Sequence, residues 1–81
     1  MIVEESKVFN VGTIQYVITK QYLCGKVRDT VKISRCYPVE DGSERGYHYE
    51  YEYKDVLLCH LDYDNDLKLE RQLQNQFGIY V

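Results

Sequence analysis

The stretch DYDNDLKLE, residues 62 to 70, puts Asp62, Asp64 and Asp66 at alternate positions, where a calcium loop begins its carboxylate ligands. The rest of such a loop is missing. Its turn glycine is replaced by Leu67 and its closing bidentate glutamate by Leu73. Carboxylates grouped ahead of a helix stabilise its positive end, and the spacing assigns them that role. His48 and His60, with Cys59, also offer metal ligands. On one straight strand, however, the two histidines lie about 40 Å apart. His60 is therefore expected to be partly buried and hydrogen-bonded, and His48 exposed. Ser6, Ser34 and Ser43 fall outside any strand-turn-helix elbow, and no glycine-rich loop could cradle a phosphate. The sequence predicts no catalytic residue, no metal site and no cofactor, and hence a chain that is not an enzyme.

A second pattern bears on binding. Residues 46 to 55, GYHYEYEYKD, carry Tyr47, Tyr49, Tyr51 and Tyr53 with His48, Glu50 and Glu52 between them. Tyrosine offers a large ring for few rotatable bonds and a hydroxyl that must stay wet or find a partner, which suits an interface. Charge is segregated as well. Lys20, Lys26, Arg28, Lys32 and Arg35 crowd residues 20 to 35, whereas acids dominate from residue 40 to 70, for a net charge of −3. Such asymmetry can steer partners.

These residues need elements to position them. With 81 residues, nine tyrosines, no tryptophan and no alanine, the chain is expected to form a single domain over 1–81 whose core or interface is rich in tyrosine. A domain of this size buries only about 60 to 65% of its unfolded surface, so stability should be modest. Residues 13 to 23 alternate, with Ile14, Tyr16, Ile18 and Tyr22 on one parity, and residues 27 to 37 alternate again around Val27, Val31, Ile33 and Tyr37. Cys24, Gly25 and Lys26 join them as a hairpin. Pro38 is expected to help stop the second strand. A third run extends from 47 to 61, and Leu69, Leu73 and Phe77 mark a helix over 66–77, capped by Asn65 or Asp66 and stopped at Gly78. Residues 1 to 12 read either as an edge strand or as a loose arm, and Ile79 to Val81 as a short strand or a tail. A rival reading makes 53–61 helical, with Tyr53, Leu57 and Leu61 on one side. The favoured fold class is α+β, a small antiparallel meander of three to four strands with one C-terminal helix packed on one face.

Length decides the fate of the ladder. A strand from 47 to 63 spans about 55 Å, far more than a strand normally runs, so the segment must bend, split or protrude. A twelve-residue helix, about 18 Å long, cannot shelter both halves. VLLCHL, 56 to 61, is apolar on both parities and has the stronger claim on the core as a central strand. Tyr47, Tyr49 and Tyr51 are then outside or at an interface, with Tyr53 near the boundary. The competing reading packs the ladder against Ile14, Tyr16, Val31 and Ile33 as cross-strand neighbours.

Cys24, Cys36 and Cys59 form an odd set that fits neither a disulfide framework nor a zinc knuckle, and each is expected to be a small buried free thiol. With no long apolar run and no leader segment after Met1, the chain reads as cytoplasmic and not membrane-bound. The expected function is a non-catalytic protein-binding module whose partner meets Tyr47, Tyr49, Tyr51, Glu50, Glu52, Asp62 and Asp64. Such a small acidic inhibitor or accessory protein, of the kind viruses and mobile elements use, would occupy a basic site on another protein, such as one that takes nucleic acid. The alternative is a single-stranded nucleic-acid-binding domain using the tyrosine face with Lys20, Arg28, Lys32 and Arg35. An exposed edge strand is also compatible with a homodimer.

Overall fold

A computed structural model describes residues 2–77. Strands β1 (Ile2–Val11), β2 (Ile14–Leu23), β3 (Lys26–Glu40) and β4 (Tyr47–Leu57) pair in chain order into one antiparallel sheet. A short 3₁₀ turn (Leu58–His60) leads off the sheet to helix α1 (Asp66–Gln76). The fold is the α+β meander with a C-terminal helix that the alternation predicts. The N-terminal segment, ambiguous in sequence, is the outer strand β1.

Local chemistry explains the turns. Cys24 and Gly25 have φ of 53° and 80°, the left-handed pair of a two-residue hairpin turn whose twist matches that of its strands. At the β1–β2 turn Gly12 has φ of 61°, which a side chain would strain. Asn65 caps α1, its side chain accepting from the Lys68 amide, and Asp66 stands in the first turn where the helix dipole favours a carboxylate.

One face of the sheet is closed. Tyr16 and Ile18 on β2, Val31 and Ile33 on β3 and Val56 on β4 are buried beneath Leu69 and Leu73 of α1, with Leu61 and Tyr63 completing the core. The register places these residues in common rows, Ile18 beside Ile33 and Val31 beside Val56. Tyr63 lies between two cations, with Lys7 Nζ 4.4 Å and Lys20 Nζ 4.2 Å from its ring centroid. Lys7 also donates to the Tyr63 carbonyl and pairs with Asp66 at 3.0 Å, tying β1 to the start of the helix.

Several expectations need correction. Pro38 does not stop β3, which runs on to Glu40. The last β2 partner on β3 is Cys36, so Pro38 sits where only β4 remains alongside, a place where a missing amide is tolerated. The third run ends as a strand at Leu57, short of residue 61, and is neither a central strand nor a helix over 53–61. VLLCHL is apolar on both parities because the chain leaves the sheet there. Val56 and Leu61 are buried and Leu58 packs against the core, while Leu57, Cys59 and His60 are exposed. Cys24 is exposed too and Cys36 only half-buried, so none of the three free thiols is a core residue. The expected roles of Gly78 and of Ile79 to Val81 lie outside the described residues.

Because β2 turns back at Gly12, β3 and β4 overhang the sheet as a two-stranded ribbon, with Pro38 facing Tyr49 and Glu40 facing Tyr47. The long axis of the molecule, 47 Å, reflects this hairpin. Among the described residues no helix is long and apolar enough to cross a membrane.

Candidate functional site

Helix α1 covers one face of the sheet and leaves the other open. Glu52, Lys54 and Val56 share rows with Arg35, Ile33 and Val31 on the covered face. Strict alternation then sends Tyr47, Tyr49, Tyr51 and Tyr53 to the open face. Their cross-strand neighbours are Glu40, Pro38, Cys36 and Ser34, not the core residues Tyr16, Val31 and Ile33. Tyr51 and Tyr53 are 61% and 62% exposed, and Tyr49 49%, so the ladder lies outside the core and Tyr53 belongs fully to it.

The open face combines apolar area with small polar groups. Val8 and Val17 face each other in one row with Ser34 and Tyr53, and Asn10, Gln15, Cys36 and Tyr51 form the next. The rings of Tyr47 and Tyr49 meet edge to face at 5.5 Å between centroids. With Pro38, Glu40 and Thr13 they line a shallow concavity of about 530 Å³, and a neighbouring one runs past Tyr49 and Tyr51 to Cys36 and Asn10. The neighbouring Tyr47 hydroxyl raises the Tyr49 phenol above its ordinary value, and the Cys36 thiol does the same for Tyr51. Both rings stay neutral at physiological pH.

The acids expected beside the tyrosines are elsewhere. Glu50 and Glu52 project from the covered side of the sheet. Glu52 accepts from the Tyr37 hydroxyl at 2.8 Å and from Arg35 at 2.7 Å, and Tyr37 first and Arg35 second hold its carboxyl below the ordinary value. Asp62 is held by Gln72, which accepts from the Asp62 amide and donates to its carboxylate, and Asp64 is exposed on the approach to the helix. The tyrosines therefore form one surface and these four acids do not join it, although Glu50 is reached from the same free edge of β4.

The basic set is divided in the same way. Lys20 is largely covered between Tyr22 and Tyr63, with Glu5 at 3.6 Å. The Arg35 guanidinium lies 4.6 Å from the Tyr37 ring and 5.1 Å from Phe77, with 11% of its side chain exposed. Neither reaches the tyrosine face. Lys32 does, its ammonium 4.9 Å from the Tyr53 ring, and Arg28 donates to Gln21 near the opposite end of the sheet.

Sequence reasoning missed a third constellation. At the tip of the overhang His48 Nδ1 lies 2.8 Å from Asp41 Oδ2 and Nε2 lies 2.8 Å from Glu50 Oε2. The two carboxylates stand on opposite sides of the ring, an arrangement that bridges the loop to the strand and could not converge on one ion. The signal was present: a histidine two residues before a glutamate on one parity of a strand shares its face. Comparison of the chain with family models, with curated proteins and with solved structures returns no match.

Proposed function

We propose that this chain is a non-catalytic protein-binding module that meets its partner through the open sheet face and the free edge of β4, with Tyr47, Tyr49, Tyr51 and Tyr53 as the main contacts. The observation that carries the reading is that four aromatic side chains stand side by side on the face that the helix leaves uncovered. Such rings bury large area at small entropic cost. The finer reading is an acidic inhibitor or accessory protein of cytoplasmic location, where Cys24, Cys36 and Cys59 stay reduced. It draws on the net charge of −3. A partner would have to wrap round the β4 edge to touch the tyrosines and Glu50 together.

The test is Tyr49→Ser combined with Tyr51→Ser. The double variant is expected to keep its far-UV spectrum and a melting temperature within about 5 °C of the parent, since neither ring supports the core. It should lose partner capture at least about tenfold, the loss of one strong contact. Unfolding without a folded, binding-deficient state would refute the reading. Nucleic acid remains the rival because Lys32 flanks Tyr53. Fluorescence anisotropy with a labelled single strand decides between them. Binding that weakens steeply with salt, and that Lys32→Ala impairs, would favour nucleic acid.

A further inference from the structure

We propose that β4 pairs with β4 of a second copy of this chain, antiparallel about a two-fold axis through Glu52, to make one continuous eight-stranded sheet. The proposal rests on the reading of β4 as the contact strand and names a partner for it.

β4 has β3 on one side and no strand on the other among the described residues, so every second residue presents an unpaired amide and carbonyl along its free edge. A two-fold axis relating two antiparallel edge strands is perpendicular to the sheet and keeps like faces together. Residues that face each other must then have the same parity. The strand runs from Tyr47 to Leu57 and has Glu52 at its midpoint. With the axis there, the whole strand overlaps its copy. Glu50 faces Lys54 twice and Tyr51 faces Tyr53 twice, while Tyr47 faces Leu57, Tyr49 faces Asp55 and His48 faces Val56. Opposite charges and aromatic pairs directly across a sheet are both favourable.

Neighbouring registers are worse. Moving the axis to Tyr51 sets Glu50 against Glu52 twice, and moving it to Tyr53 shortens the overlap to residues 49–57, loses the Tyr51–Tyr53 pairs and sets Lys54 against Glu52, which Arg35 already engages. In the favoured register the two Glu52 side chains meet at the axis, but each is already compensated by Arg35 and by the Tyr37 hydroxyl of its own chain. Glu50 keeps a second oxygen beyond its contact to His48, and Lys54, which donates to the Gln76 carbonyl, keeps two further donors. The other edge is a weaker candidate. On β1 an axis through Ser6 sets Glu5 against Lys7, but it puts Glu4 against Val8 and Ile2 against Asn10. Its charges are also engaged within the chain, Lys7 with Asp66 and Glu5 with Tyr22 and Lys20.

The experiment is light scattering on the full chain across a dilution series, with charge reversals. The parent is expected to dimerise. Glu50→Lys and Lys54→Glu should each raise the dimer dissociation constant at least about tenfold, because each turns two attractive pairs into two repulsive ones, and the double reversal should restore it. Should Lys54→Glu unfold through loss of its contact to the helix end, Glu50→Lys against Glu50→Gln carries the test, with reversal expected to weaken the dimer more than neutralisation. A chain that stays monomeric to about 1 mM, a range that covers even weak association, overturns the pairing. So does a dimer indifferent to these charges, or one sensitive instead to Glu5→Lys and rescued by Glu5→Lys with Lys7→Glu. A monomer that still loses a different partner on Tyr49→Ser and Tyr51→Ser overturns the pairing alone and leaves the protein-binding reading standing.

Discussion

His48 contacts a carboxylate through each ring nitrogen, and carboxylates only accept, so both bonds are satisfied together only by the imidazolium. Glu50 first and Asp41 second raise the His48 pKa above its ordinary 6.5. Asp41 falls to about 2, held down by Ser43 and then by His48. The raised His48 contributes its stabilisation in full below pH 6.5 and loses it as pH rises through the shifted value. The lowered Asp41 contributes above pH 3.8 and loses it as pH falls toward 2. The hairpin tip is therefore held best between pH 3.8 and 6.5. A proton NMR titration of the His48 ring should give a midpoint above 6.5, and Glu50→Gln should lower it. A wild-type midpoint at or below 6.5 would show that the two contacts do not persist in solution.

At the scale of elements, α1 is the only α-helix over the sheet among the described residues, and it works through few side chains. Leu69 and Leu73 are fully buried against Tyr16, Ile18, Val31 and Ile33. Leu73→Ala should cost about 3 kcal/mol, the usual range for a buried leucine, which is a large share of the stability of so small a domain. Urea unfolding should show the midpoint collapse, whereas Leu67→Ala, at a position 81% exposed, should leave it nearly unchanged. This helix was legible in sequence to within a residue because its four-residue spacing and polar cap are local signals. The pairing of 13–23 with 27–37 was legible for the same reason. What local signals could not supply was the end of a neighbour. Pro38 stays in β3, and VLLCHL leaves the sheet, because of where β2 stops and where the helix must dock. The tyrosine ladder was rightly placed outside, but length was only part of the cause. Parity puts its rings on the uncovered face, and the same alternation already separated Glu50 and Glu52 from them.

The whole molecule is more extended than its size implies. Its radius of gyration is 14.4 Å, against about 12 Å for a rounded domain of this length, and its longest dimension is 47 Å. The excess lies in the ribbon formed by the ends of β3 and β4, where among the described residues each strand has a single neighbour and no helix lies above. Stability must then be graded along the long axis. Amides of Ile18 and Ile33, in the centre of the sheet beneath α1, should exchange with solvent only through global unfolding. Those between Pro38 and Tyr49 should exchange through local opening at much lower free energy. Hydrogen exchange followed at two protein concentrations gives a further reading. If β4 meets a second copy, protection of its residues 50 to 54 should rise with concentration while that of Ile18 changes far less, because pairing shields the edge directly and the core only through global stability. Uniform protection along the hairpin at low concentration would mean that the overhang is held by something other than the sheet, and the grading would fail.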